Sequence, residues 1–259
     1  MSNVTIKNAQ EIELMRESGR LLASVFHALD KEIHAGMTTM DVNDFVDAFI
    51  TDTLQARPAS KGQYGYEYVL NSSVNEVVCH GVPSVAKKLR EGDIVNVDIT
   101  LEKNGFIADS SKMYCIGKVS PIAKKLVDTT YEAMWKGIET VKPGATLGDI
   151  GHAIQSHVEK AGFSVVRDYC GHGIGREMHE EPQVVHYGRK GTGMHLVPGM
   201  TFTIEPMINQ GTYKTKQKKD GWTVVTRDKK LSAQWEHTIL VTETGFEVLT
   251  LRDEEQKPN

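Results

Sequence analysis

Two aspartates lie on what the sequence predicts to be the two arms of one β-hairpin. The stretch Ile94 to Leu101 is β-branched and apolar, and Asn104-Gly105 behind it is typical of a two-residue turn. With this turn Thr100 faces Asp109, and side-chain alternation puts Asp98 and Asp109 on one face, roughly 7 Å apart. The two carboxylates would repel each other and lose hydration, which a cation between them would offset. The apolar neighbours of both aspartates argue against an exposed capping role.

The elements around this hairpin follow a plan that the sequence shows twice. Apolar residues at helical spacing predict a first helix from Ile12 to Ile33 and a second helix, capped by Thr38, that reaches Leu54. A helix from Ile122 to Val141 and another capped by Thr146 repeat the order.

Matching residues of the two halves stand at a nearly constant offset. The pairs are Gly36 and Gly144, Thr38 and Thr146, and Asp41 and Asp149 at 108 residues, and Leu89 and Leu196, Gly92 and Gly199, and Asp98 and Glu205 at 107. Chance matches would not keep this offset, so we infer an internal duplication with halves of roughly residues 10–115 and 118–250. A pseudo-two-fold arrangement would bring Asp98 and Glu205 together near its axis.

The two halves differ most in their histidines. His80 follows an apolar run in the first half, whereas the second half carries His172 and His179 in a glycine-rich stretch. The glycines allow the backbone to approach a ligand closely, but they lack the strand-to-helix context and the spacing of a dinucleotide-binding motif. A further acid, Glu236, lies in the predicted strand Trp235 to Val241.

Composition narrows the class of protein. The 259 residues suffice for a large buried core, and 39% hydrophobic with 25% charged residues is ordinary for a globular protein. A net charge of −4 gives no reason to expect nucleic acid, and the lysines between Lys214 and Lys219 fit a solvated loop. Three cysteines and the absence of a signal-peptide pattern or transmembrane run favour the cytoplasm.

The combination of five residues resembles the methionine aminopeptidase family, type I, along essentially the whole chain: Asp98, Asp109, His172, Glu205 and Glu236. This resemblance implies an α+β fold of the pita-bread type, pseudo-two-fold duplicated, with a curved antiparallel sheet and helices on its outer face. It also implies a single catalytic metallopeptidase domain over residues 1–259. The implied activity is removal of the initiator methionine from nascent proteins and peptides whose second residue is small.

The resemblance further implies a dinuclear metal centre. Asp98 and Glu236 would hold one ion and His172 and Glu205 the other, with Asp109 and Glu236 bridging. Four carboxylates would balance two divalent ions. An oxygen-rich set with a single imidazole suits Mn, Fe or Co, and Zn remains open.

Three residues acquire catalytic roles through the resemblance. Glu205, besides binding metal, would carry a proton from the attacking water to the leaving amine. His179 would stabilise the developing oxyanion, and His80 would contact the scissile amide nitrogen. The remaining histidines away from the acidic motifs are expected to be structural or exposed: His27, His34, His152, His157, His186 and His195.

The substrate pocket is expected to differ from that of relatives. Besides His80 and His179, the substrate-binding residues implied are Tyr66, Asn71, Met178 and Trp222, of which Tyr66 and Trp222 give an aromatic lining. Relatives commonly have Tyr, Pro, Cys and Phe where this chain has Gln63, Glu67, Asn71 and Met178. We expect these residues to make one side of the methionine pocket more polar.

Further expectations concern cations and partners. The carbonyls of Asn75, Val77 and Ser232 match positions that hold a monovalent cation in relatives. The partners implied are nascent polypeptide N-termini and, in passing, the ribosome, with no membrane or specific nucleic acid, and the chain is expected to act as a monomer.

Other classes of function fit the sequence less well. A cysteine hydrolase would pair Cys79 with His80 or Cys170 with His172, but residues so close in sequence seldom face each other. No GxSxG motif supports a serine hydrolase. A binding protein without activity typically loses metal ligands, whereas all five are present. Proline-directed peptidases usually carry an extra N-terminal domain, for which residues 1–10 leave no room.

Overall fold

The computed structural model describes residues 3–255, so the ends of the predicted domain, residues 1, 2 and 256–259, lie outside the described residues. The described helices are α1 (Ala9–Leu29), α2 (Thr39–Ala48), α3 (Pro121–Ile138) and α4 (Leu147–Lys160). The first strands are β1 (Arg57–Pro58), β2 (Leu70–Val74), β3 (Val77–Cys79), β4 (Ile94–Lys103) and β5 (Phe106–Cys115). The later strands are β6 (Ser164–Val165), β7 (Gly171–Gly173), β8 (Glu180–Val184), β9 (Thr201–Ile204), β10 (Met207–Asn209), β11 (Thr215–Gln217), β12 (Val224–Thr226), β13 (Ser232–Gln234), β14 (His237–Val241) and β15 (Phe246–Val248).

The hairpin β4–β5 forms in the predicted register. Lys103 pairs with Phe106, and Thr100 pairs with Asp109. Asn104 and Gly105 both adopt positive φ, +53° and +80°, as the two-residue hairpin turn requires. Strands β1 and β2 extend this sheet from β4.

All pairs of strands in the described sheets are antiparallel, as the resemblance implied. A second large sheet has the order β15-β14-β9-β7-β8, and two three-stranded sheets have the orders β13-β10-β6 and β11-β12-β3. Within residues 3–255 no helix is long and apolar enough to cross a membrane.

Alternation along β4 separates a core face from a cleft face. Val97, Ile99 and Leu101 are fully buried in a core shared with α1 and α2. Asp98 and Thr100, the residues between them, line the central cavity on the opposite face. Helices α3 and α4 cover the second sheet in the same way through a separate apolar core.

The helix caps are as predicted, but several element bounds differ, among them the end of α3 at Ile138 and not at Val141. Thr38 with Asp41 and Thr146 with Asp149 form reciprocal capping boxes. The first helix ends at Leu29 rather than Ile33, which packs on the core from the following turn.

The second helix is α-helical only to Ala48 and continues as a π-helical stretch, Phe49–Thr53. The predicted strand Trp235 to Val241 begins as β14 only at His237. Before it Glu236 pairs instead with Ser111 of β5, and this switch of partner joins the two halves at the cleft.

Equivalent contacts recur in the two halves. The Gly36 N–H donates to the Leu89 carbonyl at 2.8 Å, and the Gly144 N–H donates to the Leu196 carbonyl at 2.9 Å. Thr38 forms an isolated bridge to Lys88, as Thr146 does to His195.

Candidate metal centre and substrate cleft

A cavity of about 560 Å³ opens on the cleft face of the sheets. Every predicted metal, catalytic or substrate residue lines it: Tyr66, Asn71, His80, Asp98, Asp109, His172, Met178, His179, Glu205, Trp222 and Glu236. They come from segments up to 170 residues apart in sequence, so only the fold brings them together.

Five of these residues form the floor of the cleft, and strands position each of them. Asp98 and Asp109 lie on β4 and β5. Glu205 directly follows β9, His172 is the central residue of β7, and Glu236 stands between β13 and β14. Because paired strands fix the backbone, these side chains have little freedom to separate.

The floor residues are close enough to share an ion. Ligand atoms of Asp109, His172 and Glu236 all lie within 4.8 Å of one another. His172 Nε2 is 3.7 Å from Asp109 Oδ2 and 3.5 Å from Glu205 Oε1.

The electrostatics of the floor fit bound cations. Burial raises the pKa of Asp98 to about 6 and that of Glu205 to about 8. The pKa values of Asp109 and Glu236 rise well above their ordinary values through burial and through the other carboxylates. Among the described residues, Asp109 Oδ1 is buried without a hydrogen-bond partner. Divalent ions would compensate both the charge and this unpartnered oxygen, so the donor set fits a metal centre.

The orientation of His172 also suits a ligand. Its Nδ1 lies 3.0 Å from the Gly173 carbonyl, to which Nδ1–H donates, and this leaves Nε2 free towards the carboxylates. Burial, with His179 nearby, lowers the pKa of His172 to about 4. A neutral imidazole with a free Nε2 is the form that binds a metal.

Three residues to which the sequence assigned no role in the site hold Glu205. The Thr203 hydroxyl donates to Glu205 Oε1 at 2.8 Å, and Gln234 Nε2 donates to Oε2 at 3.2 Å. The Glu205 backbone N–H donates to His186 Nε2 at 3.0 Å. His186, expected to be structural, therefore supports the floor. Thr203 could have been found, because it precedes Glu205 by two residues and shares its face.

Glu236 and Asp109 are supported through their backbones. The Ser110 hydroxyl donates to the Glu236 carbonyl at 2.7 Å. Thr238 Oγ1 accepts the Asp109 N–H and donates to the Asp109 carbonyl. Behind them the buried Arg252 donates to Ser110 Oγ at 3.1 Å. Sequence reasoning missed these contacts because no local pattern signals them.

His80 and His179 stand above the floor. His80 adopts an unusual positive φ of +54° and packs edge-on against Tyr169. The His179 ring lies 4.4 Å from that of His172 and stacks at 6.0 Å on Tyr64, a largely exposed residue absent from the sequence-based predictions. Burial lowers the pKa of both His80 and His179, so each is a neutral imidazole near pH 7.

One wall of the cavity is aromatic and apolar. Tyr66 packs edge-on against Trp222 at 4.9 Å, and the buried Met178 also lines the cavity. The structure differs in two respects from the expectation that one side of the methionine pocket is polar. Glu67 is exposed and does not line the cavity. The Asn71 amide is partnered, since its Nδ2 donates to Asp98 Oδ2 at 3.4 Å.

Cys79 lines the cavity but is poorly suited to nucleophilic catalysis. It is fully buried, and burial with the nearby carboxylates Glu205 and Asp98 raises the pKa of its thiol well above the ordinary value. A thiol that stays protonated is a weak nucleophile.

The segments around Asn75 and Ser232 contact each other. The Ser232 N–H donates to the Asn75 carbonyl at 2.8 Å, and Asn75 adopts a positive φ of +55°. Val77 lies in β3, which pairs with β12.

Fold and site together define a metal-binding hydrolase: buried carboxylates and one imidazole converge beneath neutral histidines in an open cleft. The chain belongs to metallopeptidase family M24, whose family model matches residues 13–243. This confirms the pita-bread fold that the sequence predicted.

Relatives with this architecture cover nearly the whole chain. The methionine aminopeptidase of Salmonella typhimurium is 50% identical over 255 residues, which cover 98% of this chain and 97% of the relative. That of Escherichia coli strain K12 is 48% identical over the same shares of the two chains.

Solved structures agree at the level of the backbone. A methionine aminopeptidase structure from Rickettsia prowazekii has a TM-score of 0.94 at 50% identity and covers 96% of this chain and 100% of that one. A prolidase from Pyrococcus horikoshii shares only the fold, with a TM-score of 0.75 at 23% identity over 96% of this chain and 64% of that one.

Proposed function

We propose that this protein removes the N-terminal methionine from nascent proteins and peptides whose second residue is small. The observation that carries the proposal is the convergence of five metal-type ligands on the floor of a cleft with an adjacent aromatic and apolar wall. The relatives named methionine aminopeptidase, about half identical along nearly the entire chain, support the same activity.

The floor would hold two divalent ions. Asp98 and Glu236 would hold one ion, His172 and Glu205 the other, and Asp109 with Glu236 would reach both. When bound, the ions would lower the pKa of a water molecule and polarise the scissile carbonyl. Mn, Fe, Co and Zn all suit this donor set.

The side chains of the chain itself would then manage protons and charge. Glu205 is positioned by Thr203 and Gln234, so its carboxylate can take a proton from the attacking water and pass it to the leaving amine. His179, a neutral imidazole at the mouth, would donate an N–H to the oxyanion. His80 would contact the scissile nitrogen.

The wall determines which first residue fits. Tyr66 and Trp222 line the cavity with aromatic rings, whose edges thioether sulfur favours, and Met178 adds a flexible apolar surface. An unbranched methionine side chain would bury its whole length here. Asn71 also lines the cavity, and one N–H of its amide donates to Asp98, which leaves the second N–H for the substrate.

The remaining expectations belong to the same proposal. The enzyme would act in the cytoplasm as a monomer, and it would meet nascent chains near the ribosome. Residues 1–259 would form one duplicated domain, which the equivalent contacts of Gly36 and Gly144 support. The carbonyls of Asn75, Val77 and Ser232 would bind a monovalent cation.

A peptide panel tests the activity. The metal-free protein would be titrated with Mn, Fe, Co or Zn, and release of the first residue measured for Met-Ala, Met-Gly, Leu-Ala and Ala-Pro. We expect release of methionine from the first two only after metal is added. Preferential cleavage of Ala-Pro, or no metal dependence, would contradict the proposal.

A further inference from the structure

A buried lysine outside the cleft contacts the segment that carries His179. Lys7 precedes α1, and only 4% of its surface is exposed. Its Nζ lies 2.5 Å from Glu180 Oε2, and its backbone N–H donates to the Gly199 carbonyl at 2.9 Å. Both side chains of this ion pair are nearly inaccessible to water, with 2% and 11% exposed.

Glu180 closes the loop between β7 and β8. Residues 174–179, the His179 loop, connect these strands. While one carboxylate oxygen of Glu180 contacts Lys7, Oε1 accepts the backbone N–H groups of Arg176 at 3.0 Å and of Glu177 at 3.3 Å. One charged group thus fixes the backbone directly before Met178 and His179.

The loop packs tightly against the pair at Gly175. A Cβ atom on Gly175 would lie 2.5 Å from Lys7 Cε and 2.7 Å from Glu180 Oε1. A buried carboxylate without its cation is costly. Glu180 would therefore leave its place if Lys7 were removed, and the two loop N–H groups would lose their acceptor.

A second ion pair ties the same loop to the start of α1. Arg176 Nη2 lies 3.3 Å from Glu11 Oε1, and Glu11 is the capping-box partner of Asn8. This outer pair is more exposed than the first, so it contributes less. Together the contacts hold the His179 loop against the N-terminal segment.

The histidine itself depends on this backbone. Across residues 3–255 no hydrogen bond to the His179 imidazole is found, and the ring rests on His172 and Tyr64. Its place above the floor therefore follows from where the loop holds its Cα. A displacement of about 1 Å at a reacting group can cost about a hundredfold in rate.

We propose that Lys7 is a positioning residue for hydrolysis: through Glu180 it fixes the loop that presents His179 to the scissile carbonyl. This inference rests on the proposed function. It adds that the segment before α1, remote from the metal floor in sequence, governs the chemical step.

Kinetics of Lys7→Met test the proposal, with Lys124→Met as control because Lys124 forms an exposed ion pair with Asp128 on α3. For Met-Ala-Ser with saturating Mn²⁺ we expect kcat to fall about 10- to 100-fold and KM and metal affinity to stay within about threefold. Lys124→Met should match the parent. An unchanged kcat in folded Lys7→Met would overturn the proposal, as would an equal loss in the control.

Hydrogen exchange and a second variant keep the test independent of activity. The Arg176 and Glu177 amides should exchange about tenfold faster in Lys7→Met than in the parent. The double variant Lys7→Met/Glu180→Gln has no unpaired buried charge but keeps an acceptor for the two loop N–H groups. Its kcat should therefore lie between those of Lys7→Met and the parent, and it replaces Lys7→Met in the assay if that variant is too unstable. Unchanged exchange at both amides would overturn the positioning role. Failure of the parent protein to cleave Met-Ala-Ser would instead refute the proposed function.

Discussion

The floor of the cleft lies on paired strands, whereas its mouth lies on loops between them. Asp98 and Asp109 stand on the ten-residue strands β4 and β5, which pair along their whole length. His179 and Tyr64 stand on irregular segments, and Tyr64 itself adopts a positive φ of +49°. The floor thus owes its geometry to paired backbone, and the mouth to single long-range contacts such as Lys7 with Glu180.

This difference separates two kinds of failure. A change on the floor alters the charge that holds metal while the backbone stays in place. A change at the mouth leaves metal binding intact and misplaces groups that act in the transition state. The predictions below test this separation, from the largest expected effect to the smallest.

Asp109→Asn should abolish turnover, with a loss of more than about a thousandfold, and should weaken metal binding. A neutral amide cannot bridge two cations in place of a carboxylate. Activity assays and isothermal titration with Mn²⁺ measure both effects. The control is Glu102→Gln on β4, which also neutralises a carboxylate, but one that pairs with an exposed arginine. This control variant should be active. Activity of Asp109→Asn within about tenfold of the parent would contradict the bridging role.

His179→Ala should lower kcat about 10²- to 10³-fold with little change in KM, because an oxyanion contact forms mainly in the transition state. Steady-state kinetics on Met-Ala-Ser separate the two constants. Exposed His152 on α4 supplies the control, His152→Ala. A loss confined to KM would move His179 to ground-state binding, and a loss of metal affinity would break the distinction between mouth and floor.

Metal affinity should fall with decreasing pH between about pH 8 and pH 6. The pKa values of Glu205 and Asp98, about 8 and about 6, are raised by burial, so the folded metal-free protein keeps protons that the unfolded chain would release. Asp98 therefore destabilises the metal-free fold as pH rises from its ordinary pKa of 3.8 to about 6, and Glu205 does so as pH rises from 4.5 to about 8. Metal binding must displace the protons that these groups still hold.

Titration calorimetry in two buffers of different ionisation enthalpy counts the released protons. We expect about one proton or more per chain near pH 7, and roughly tenfold weaker binding per pH unit for each competing proton. Binding without proton release would show that the floor is ionised before the metal arrives.

Asn71→Cys should weaken metal binding about threefold to tenfold and lower kcat/KM. From sequence alone, a polar wall predicts that this substitution improves methionine binding. The structure reverses the expectation, because the Asn71 amide donates to Asp98 and its loss removes a hydrogen bond to a charged group. Asn71→Ser, which keeps a polar but shorter side chain at the same position, is measured alongside Asn71→Cys. A rise in kcat/KM for Asn71→Cys would restore the earlier interpretation.

The Asp98 and Asp109 pair of the floor could be predicted because its signals are local, whereas His172, Glu205 and Glu236 were implied as ligands by the resemblance. Asn104-Gly105 sets the register of β4 and β5, and alternation then puts Asp98 and Asp109 on one face. The capping boxes of Thr38 and Thr146 likewise depend on residues only three positions apart.

Apart from Thr203, which is local to Glu205, the supports of the site could not be predicted, because they join distant segments without a repeating pattern. Lys7 and Glu180 are 173 residues apart, and the contact of His186 with the Glu205 backbone leaves no trace in either residue's neighbours. The break before β14 escaped prediction for a similar reason, since Glu236 changes its pairing partner to Ser111.

Anomalous diffraction from crystals soaked in Mn²⁺ tests the central claim most directly. We predict two peaks about 3.5–4 Å apart on the cleft floor, both within ligand distance of Asp109 and Glu236. One peak should also contact Asp98, and the other His172 and Glu205. Peaks elsewhere, or a fully occupied floor with Asp109 outside ligand distance of either ion, would contradict the account.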